Sequence, residues 1–148
     1  MLGFIKAKFG DLEAAAAKFR DKETAEAVVA IMCGTSYADG ELEDAEKKKL
    51  IGAFKVNPVL KQYDTSMLLG KFNELAEQCD FDRDVGQDAC LKELADVAGR
   101  GASEEKRLAI LRMGVASAKA DGEVEEAERA FLARAAQTLG LQLSQAGL

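Results

Sequence analysis

Apolar positions at helical spacing run from about Thr24 to Tyr37 and include Val28-Val29-Ala30-Ile31-Met32. An Asp-Gly pair then breaks the pattern, and a second amphipathic stretch continues to about Phe54. The same arrangement returns later in the chain. Ser103, a good N-cap, opens a stretch to about Lys119. Asp121-Gly122 makes the turn, and the pattern continues to Leu139, where Gly140-Leu141 has the form of a Schellman ending. Between the two copies, Asn57-Pro58 reads as an N-cap followed by Pro at the first helical position. Asp64 can cap a helix to about Gln78, and Asp82 or Asp84 can start one that ends near Gly99, before Arg100-Gly101. A stripe of Leu2, Ile5, Phe9, Leu12, Ala16 and Phe19 adds an amphipathic helix near the N-terminus. The pattern predicts an all-α, single-domain bundle of about seven helices with no sheet. It divides into an N-terminal amphipathic or flexible segment (1–22), a helical domain (23–140) and a C-terminal tail (141–148).

The repetition extends to residue identity. Ala38-Asp39-Gly40-Glu41-Leu42-Glu43-Asp44-Ala45-Glu46 returns without a gap, 82 residues on, as Ala120-Asp121-Gly122-Glu123-Val124-Glu125-Glu126-Ala127-Glu128. Leu50 and Ala53 correspond to Leu132 and Ala135. Two copies, about 24–54 and 103–139, suit a pseudo-symmetric pair of helix–turn–helix units. A solenoid needs at least three.

Composition narrows the chemistry. A chain of 148 residues buries enough surface to fold without a disulfide or structural metal. The formal net charge of −6 argues against a nucleic-acid surface and for cations or basic partners. The exception is residues 1–22, which carry a small basic excess from Lys6, Lys8, Lys18, Arg20 and Lys22. There is no His, which removes His-based catalysis and most zinc sites. Cys33, Cys79 and Cys90 are odd in number and form no C-x-x-C, which fits a reducing cytoplasm better than a disulfide framework. No stretch has the 18 or so apolar residues of a membrane span, and Met1–Gly10 does not read as a signal peptide.

The acidic turn has an ordinary structural use. Gly supplies a backbone conformation that other residues resist, Asp can cap the next helix, and Glu41, Glu43, Glu123 and Glu125 suit the positive end of a helix dipole. Glu46 and Glu128 fit this less well. On a helical wheel Glu46 falls among Leu42, Leu50 and Ala53, and Glu128 among Val124, Leu132, Ala135 and Leu139. An acid in an apolar stripe needs a partner. Three are open: backbone N–H groups of the other copy's turn, a Lys or Arg, or a cation shared with other acids. Asp39, Glu43 and Glu46 lie at i, i+4 and i+7, as do Asp121, Glu125 and Glu128. One such stripe is too long to wrap an ion, but two brought together by packing would offer oxygen ligands suited to Ca²⁺, Mg²⁺ or Mn²⁺. Glu41 and Glu123 add to the acidic surface.

The twice-repeated A-D-G-E-h-E-x-A-E (h apolar), in a helical chain of this length, resembles the TerB family of tellurite-resistance proteins from about Thr24 to Leu139. The resemblance implies a cytoplasmic, all-helical, non-enzymatic protein supporting resistance to tellurium oxyanions and related stress. It implies partners among other tellurium-resistance proteins, including an integral-membrane one, and hence a place at or near the inner membrane. It also implies metal binding at the acidic positions Asp39, Glu46, Asp121 and Glu128.

Other motifs are weaker. Asp80-Phe81-Asp82-Arg83-Asp84-Val85-Gly86 lacks the Gly and Glu of a calcium loop, whose places hold Val85 and Leu91, and reads as an acidic loop and helix cap. Cys33 reads as core, while Cys79 and Cys90 flank that loop and are candidates for thiol redox chemistry. Residues 1–20 are a candidate for weak contact with an anionic membrane, with a docking helix as the plainer alternative. No nucleotide loop or nucleophile elbow is present. An adaptor whose acids bind a basic or membrane-associated partner without metal is the main alternative function. A metal-dependent hydrolase is a distant third.

Overall fold

The computed structural model of this chain describes residues 19–120 and 122–148. Among them there are six α-helices and no strand. Their arrangement follows from the first, α1 (Lys22–Ser36). Every residue of α1 from Thr24 to Thr35 is buried except Glu26, which is half-buried. A helix apolar on all sides must be surrounded. Accordingly α1 packs against α3 (Thr65–Phe81), α4 (Arg83–Gly99), α5 (Glu104–Ala120) and α6 (Glu126–Thr138), and touches α2 (Asp44–Val56) more lightly.

The one charge in that buried stretch is met by a lysine. Lys71 of α3 reaches Glu26 at 3.1 Å, Glu93 of α4 at 2.9 Å and Glu74 at 3.5 Å. Burial alone would lower the Lys71 ammonium, but Glu93 and Glu26 outweigh it and hold the group charged, with its pKa above the usual lysine range. The cluster therefore ties α1, α3 and α4 together.

Capping residues set the remaining boundaries. Asp64 accepts the Ser66 N–H at 2.9 Å, Asp82 accepts the Asp84 and Val85 N–H groups, and Ser103 Oγ accepts the Lys106 N–H at 3.1 Å. Asp82 alone separates α3 from α4, so the Asp-rich run is a single hinge residue between two helices rather than a loop. At the end of α6 the Leu141 N–H bonds Ala136 O and the Gly140 N–H bonds Gln137 O, the paired bonds of a Schellman ending. Gly140 has φ +72°, as that ending requires.

Two expectations change, and a third falls almost wholly outside the described residues. Asn57-Pro58 does not open an α-helix. Asn57 ends α2, its Oδ1 accepts the Val59 and Leu60 N–H groups, and only a 3₁₀ turn (Leu60–Gln62) follows. Residues 141–148 pack rather than trail. A second 3₁₀ turn (Leu143–Ala146) lies on α5 and α6, with Leu141 and Ala146 buried. The expected N-terminal helix lies outside the described residues except at Phe19, which is half-buried with Lys106 Nζ 5.5 Å from its ring centroid. Among the described residues no helix is long and apolar enough to cross a membrane.

The helix boundaries repeat at the 82-residue offset of the sequence. α1 and α5 begin at Lys22 and Glu104, α2 and α6 begin at Asp44 and Glu126, and the latter pair end at Val56 and Thr138.

Asp21 begins the buried helix. Its carboxylate accepts the Thr24 amide at 3.0 Å and the Thr24 hydroxyl at 2.8 Å, and it meets Lys106 of α5 at 3.1 Å. Burial alone would raise its pKa, but the bonds from Thr24 and Lys106 prevail and hold it below the usual carboxylate value. A depressed carboxylate stabilises the fold above its unfolded pKa and loses that contribution as pH falls through the folded one. Asp21→Ala is expected to lower stability at pH 7 by about 1 kcal/mol. The difference from wild type should shrink towards zero in acid, read by urea unfolding across pH. A difference that persists undiminished in acid would contradict the assignment.

Candidate functional site

Both acidic turns are built the same way. The Gly40 N–H donates to Tyr37 O at 3.0 Å, and the Gly122 N–H donates to Lys119 O at 3.1 Å. The two glycines have φ +130° and +112°, which side chains resist. The chain then runs extended to Glu43 (φ −73°, ψ 161°) and Glu125 (φ −70°, ψ 157°), which are the N-cap residues of α2 and α6. The caps thus stand four residues beyond Asp39 and Asp121, where capping was expected.

Glu46 and Glu128 are corrected as well. Glu46 is exposed and Glu128 half-buried, so neither sits inside an apolar stripe. Each lies in the first turn of its helix and folds back over the cap. Glu46 Oε1 accepts the Glu43 N–H at 3.1 Å, and Glu128 Oε1 accepts the Glu125 N–H at 3.0 Å. The wheel misplaced them because Leu42 and Val124 precede their helices and do not share the helical phase. The buried residues of α2 are Leu50 and Phe54, one turn and two turns farther on.

The two turns do share one space. A groove of about 580 Å³ is lined by Asp39 and Glu46 from the first copy and by Glu123, Glu125 and Glu128 from the second. Thr35, Leu50, Ala53 and Ala116 also line it, and Lys49 is the one cation among its described lining residues. Met32 of α1, Met113 of α5 and Asn57 line it too, and Asn57 Nδ2 points at Met113 Sδ (3.4 Å) and Met32 Sδ (3.7 Å). Glu41 and Glu43 are not among its described lining residues, and Asp121 lies outside the described residues.

Oxygen donors of this kind suit hard divalent cations. Their spacing sets how such an ion would be held. Among the described residues no three carboxylates bring oxygens within 4.8 Å of one another. Direct coordination by three acids would need side-chain movement. A hydrated ion, bound through its waters, would not.

Sequence reasoning did not reach the floor of the groove. Met32 and Met113 carry no motif, Asn57 read only as a helix start, and the one available signal was that the two repeats had to pack together.

The family model described as Tellurite resistance protein TerB matches residues 25–147. The chain belongs to the TerB family. A curated TerB relative, the Tellurium resistance protein TerB of an Alcaligenes species, is 29% identical over 98 residues. That span is 66% of this chain and 78% of the relative. No solved structure matches. The TerB match takes in both acidic turns and the packed C-terminal 3₁₀ turn.

With Glu46 serving a first helical turn, Glu46→Ala is expected to cost about 0.5–1 kcal/mol and Glu46→Gln less, because the amide oxygen still accepts the Glu43 N–H. Chemical denaturation of both variants checks this. A loss of several kcal/mol in Glu46→Gln would mean that the carboxylate is buried against a charged partner.

Proposed function

We propose that this chain is a non-enzymatic tellurite-resistance and stress-response protein of the cytoplasm whose acidic groove binds a divalent cation. The observation that carries this is the meeting of two separately encoded acidic turns on one groove. Capping alone explains each turn but gives no reason for both to face the same space. Ca²⁺, Mg²⁺ and Mn²⁺ are the candidates, held by Asp39, Glu46, Glu125 and Glu128, with Glu123 adding charge. Asp121 and Glu43 belong to the same repeated stripes. Loading the groove neutralises part of its acidity, which would make its affinity for a protein partner depend on the ion. In this role the protein is a scaffold for other tellurium-resistance proteins, including an integral-membrane one.

A second function has its own support. The carboxylates stand too far apart for close three-oxygen coordination among the described residues. An adaptor that receives a basic segment of a partner would use the same spread of charge and would be salt-sensitive.

The two are separated by calorimetric titration with Mn²⁺, Mg²⁺ and Ca²⁺. The wild-type chain should bind at least one ion at roughly millimolar concentration or tighter. The double variant Glu46→Gln/Glu128→Gln should bind it about tenfold or more weakly. The same variant should lower the survival on tellurite of a strain that depends on this protein. Ion binding that is absent in wild type, with survival unaffected by the variant, would overturn the metal function.

A further inference from the structure

Cys33, Cys79 and Cys90 are far apart in sequence and come from three helices, yet their sulfurs lie within 4.8 Å of one another. All three are free thiols and all are buried, Cys79 being 5% exposed and the others 0%. The convergence is built in. A Cβ at Gly86 would fall 2.3 Å from Cys79 Cα and 2.4 Å from its sulfur, so α4 can lie this close to α3 only because position 86 has no side chain. Cys90 is one turn along α4 from Gly86, which brings it to the same place. Cys33 arrives on the buried α1. The trio is not part of the duplicated device, since the repeat equivalent of Cys33 is Val115.

The surroundings add a second sign of a binding place. Tyr37, one turn beyond Cys33, is fully buried, and among the described residues its hydroxyl makes no well-formed hydrogen bond. Burial, then the Asp80 carboxylate beside it, keeps that phenol protonated, and Cys33 and Cys79 are both near enough to act on it. Asp80 itself is engaged by Lys47 at 2.9 Å. Hydrogen bonds from Cys33 and Cys90 hold the Cys79 thiol below the usual thiol range, the bond to Cys79 and burial push Cys33 above it, and at Cys90 the lowering effect of Cys33 is outweighed by Cys79 and burial, so the three thiols act on one another as a single cluster.

We propose that Cys33, Cys79 and Cys90 form a buried three-sulfur site for a trivalent, thiophilic metalloid ion, of which arsenic(III) is the representative. Three considerations select this class. Sulfur ligands favour soft ions over the hard cations of the groove. Ion–sulfur bonds of about 2.3 Å place three sulfurs up to roughly 4 Å apart, compatible with sulfurs that all lie within 4.8 Å of one another, whereas zinc asks for a fourth ligand that a protonated phenol supplies poorly. Charge decides the oxidation state. Three thiolates around a trivalent ion make a neutral unit, while a divalent or monovalent ion would leave net negative charge in an apolar interior. The reaction needs no oxidant. Arsenous acid, As(OH)₃, exchanges three As–O bonds for three As–S bonds, and each thiol proton leaves with a hydroxide as water.

The test uses the full, reduced chain and arsenite alone. One arsenic should bind per folded chain, and X-ray absorption at arsenic should show three sulfur neighbours and no oxygen. Cys79→Ser and Cys90→Ala, checked for retained helicity, should each weaken binding about tenfold or more. The absorption measurement on wild type keeps the proposal falsifiable if a variant fails to fold. Two sulfurs and an oxygen around arsenic, binding only to denatured chain, or undiminished binding by the folded Cys79→Ser variant would each overturn the proposal. So would formation of an intramolecular disulfide by a chain that takes up no arsenic.

Discussion

The structure depends on the burial of α1. Apart from Glu26, it is buried on every side between Thr24 and Thr35, so it is stable only when other helices surround it. No single helical hairpin can do that. The fold is therefore a central helix with α3, α4, α5 and α6 around it, and α2 resting lightly at its end. The constraint also explains the charge at Glu26. A carboxylate in that stretch would be costly if unpaired, and Lys71 meets it together with Glu93. Removing a methylene from α1 and removing the Lys71 ammonium are thus two ways of disturbing the same packing.

The burial of α1 has a functional consequence at its C-terminal end. α1 packs on α5, its counterpart in the other repeat, and the turns that follow the two helices open onto one groove. Each turn is locally complete: glycine reverses the chain, a glutamate caps the next helix, and a second glutamate closes the first turn. What local chemistry leaves unexplained is the accumulation of Asp39, Glu46, Glu123, Glu125 and Glu128 around a shared space with a Met- and Asn-lined floor. The chain's membership of the TerB family supports a function related to tellurite resistance. The thiol trio, on the α3–α4 side of α1, offers softer chemistry in a different part of the same fold.

The elements that could be read from the sequence were those fixed by local rules. Asp64, Asp82 and Ser103 cap the helices they were expected to cap, and Gly140-Leu141 closes α6 as expected, because each of these signals acts within a few residues. Misreadings arose where tertiary context decides. Asn57-Pro58 has the form of a helix start, but Asn57 is buried at the end of α2 and spends its oxygen on a single 3₁₀ turn. Glu46 and Glu128 looked buried because Leu42 and Val124 were counted on the wheel, although both precede the helix and follow a different phase. Of the repeated acids, Asp39, Glu46, Glu125 and Glu128 line the groove and Glu43 does not, and spacing along one helix could not show that the two turns meet. The cysteine cluster was invisible for the same reason. Its geometry comes from the close approach at Gly86 and from the position of α1, neither of which leaves a motif.

The convergence of the two acidic turns is open to one direct measurement. Mn²⁺ added in small amounts to isotope-labelled protein broadens backbone amides according to their distance from the ion. Amides of residues 39–46 and 122–128 should broaden together, at the same ion concentration, while those near the α3–α4 junction stay sharp. Broadening of one turn without the other, or of neither, would contradict the shared groove as the ion's site.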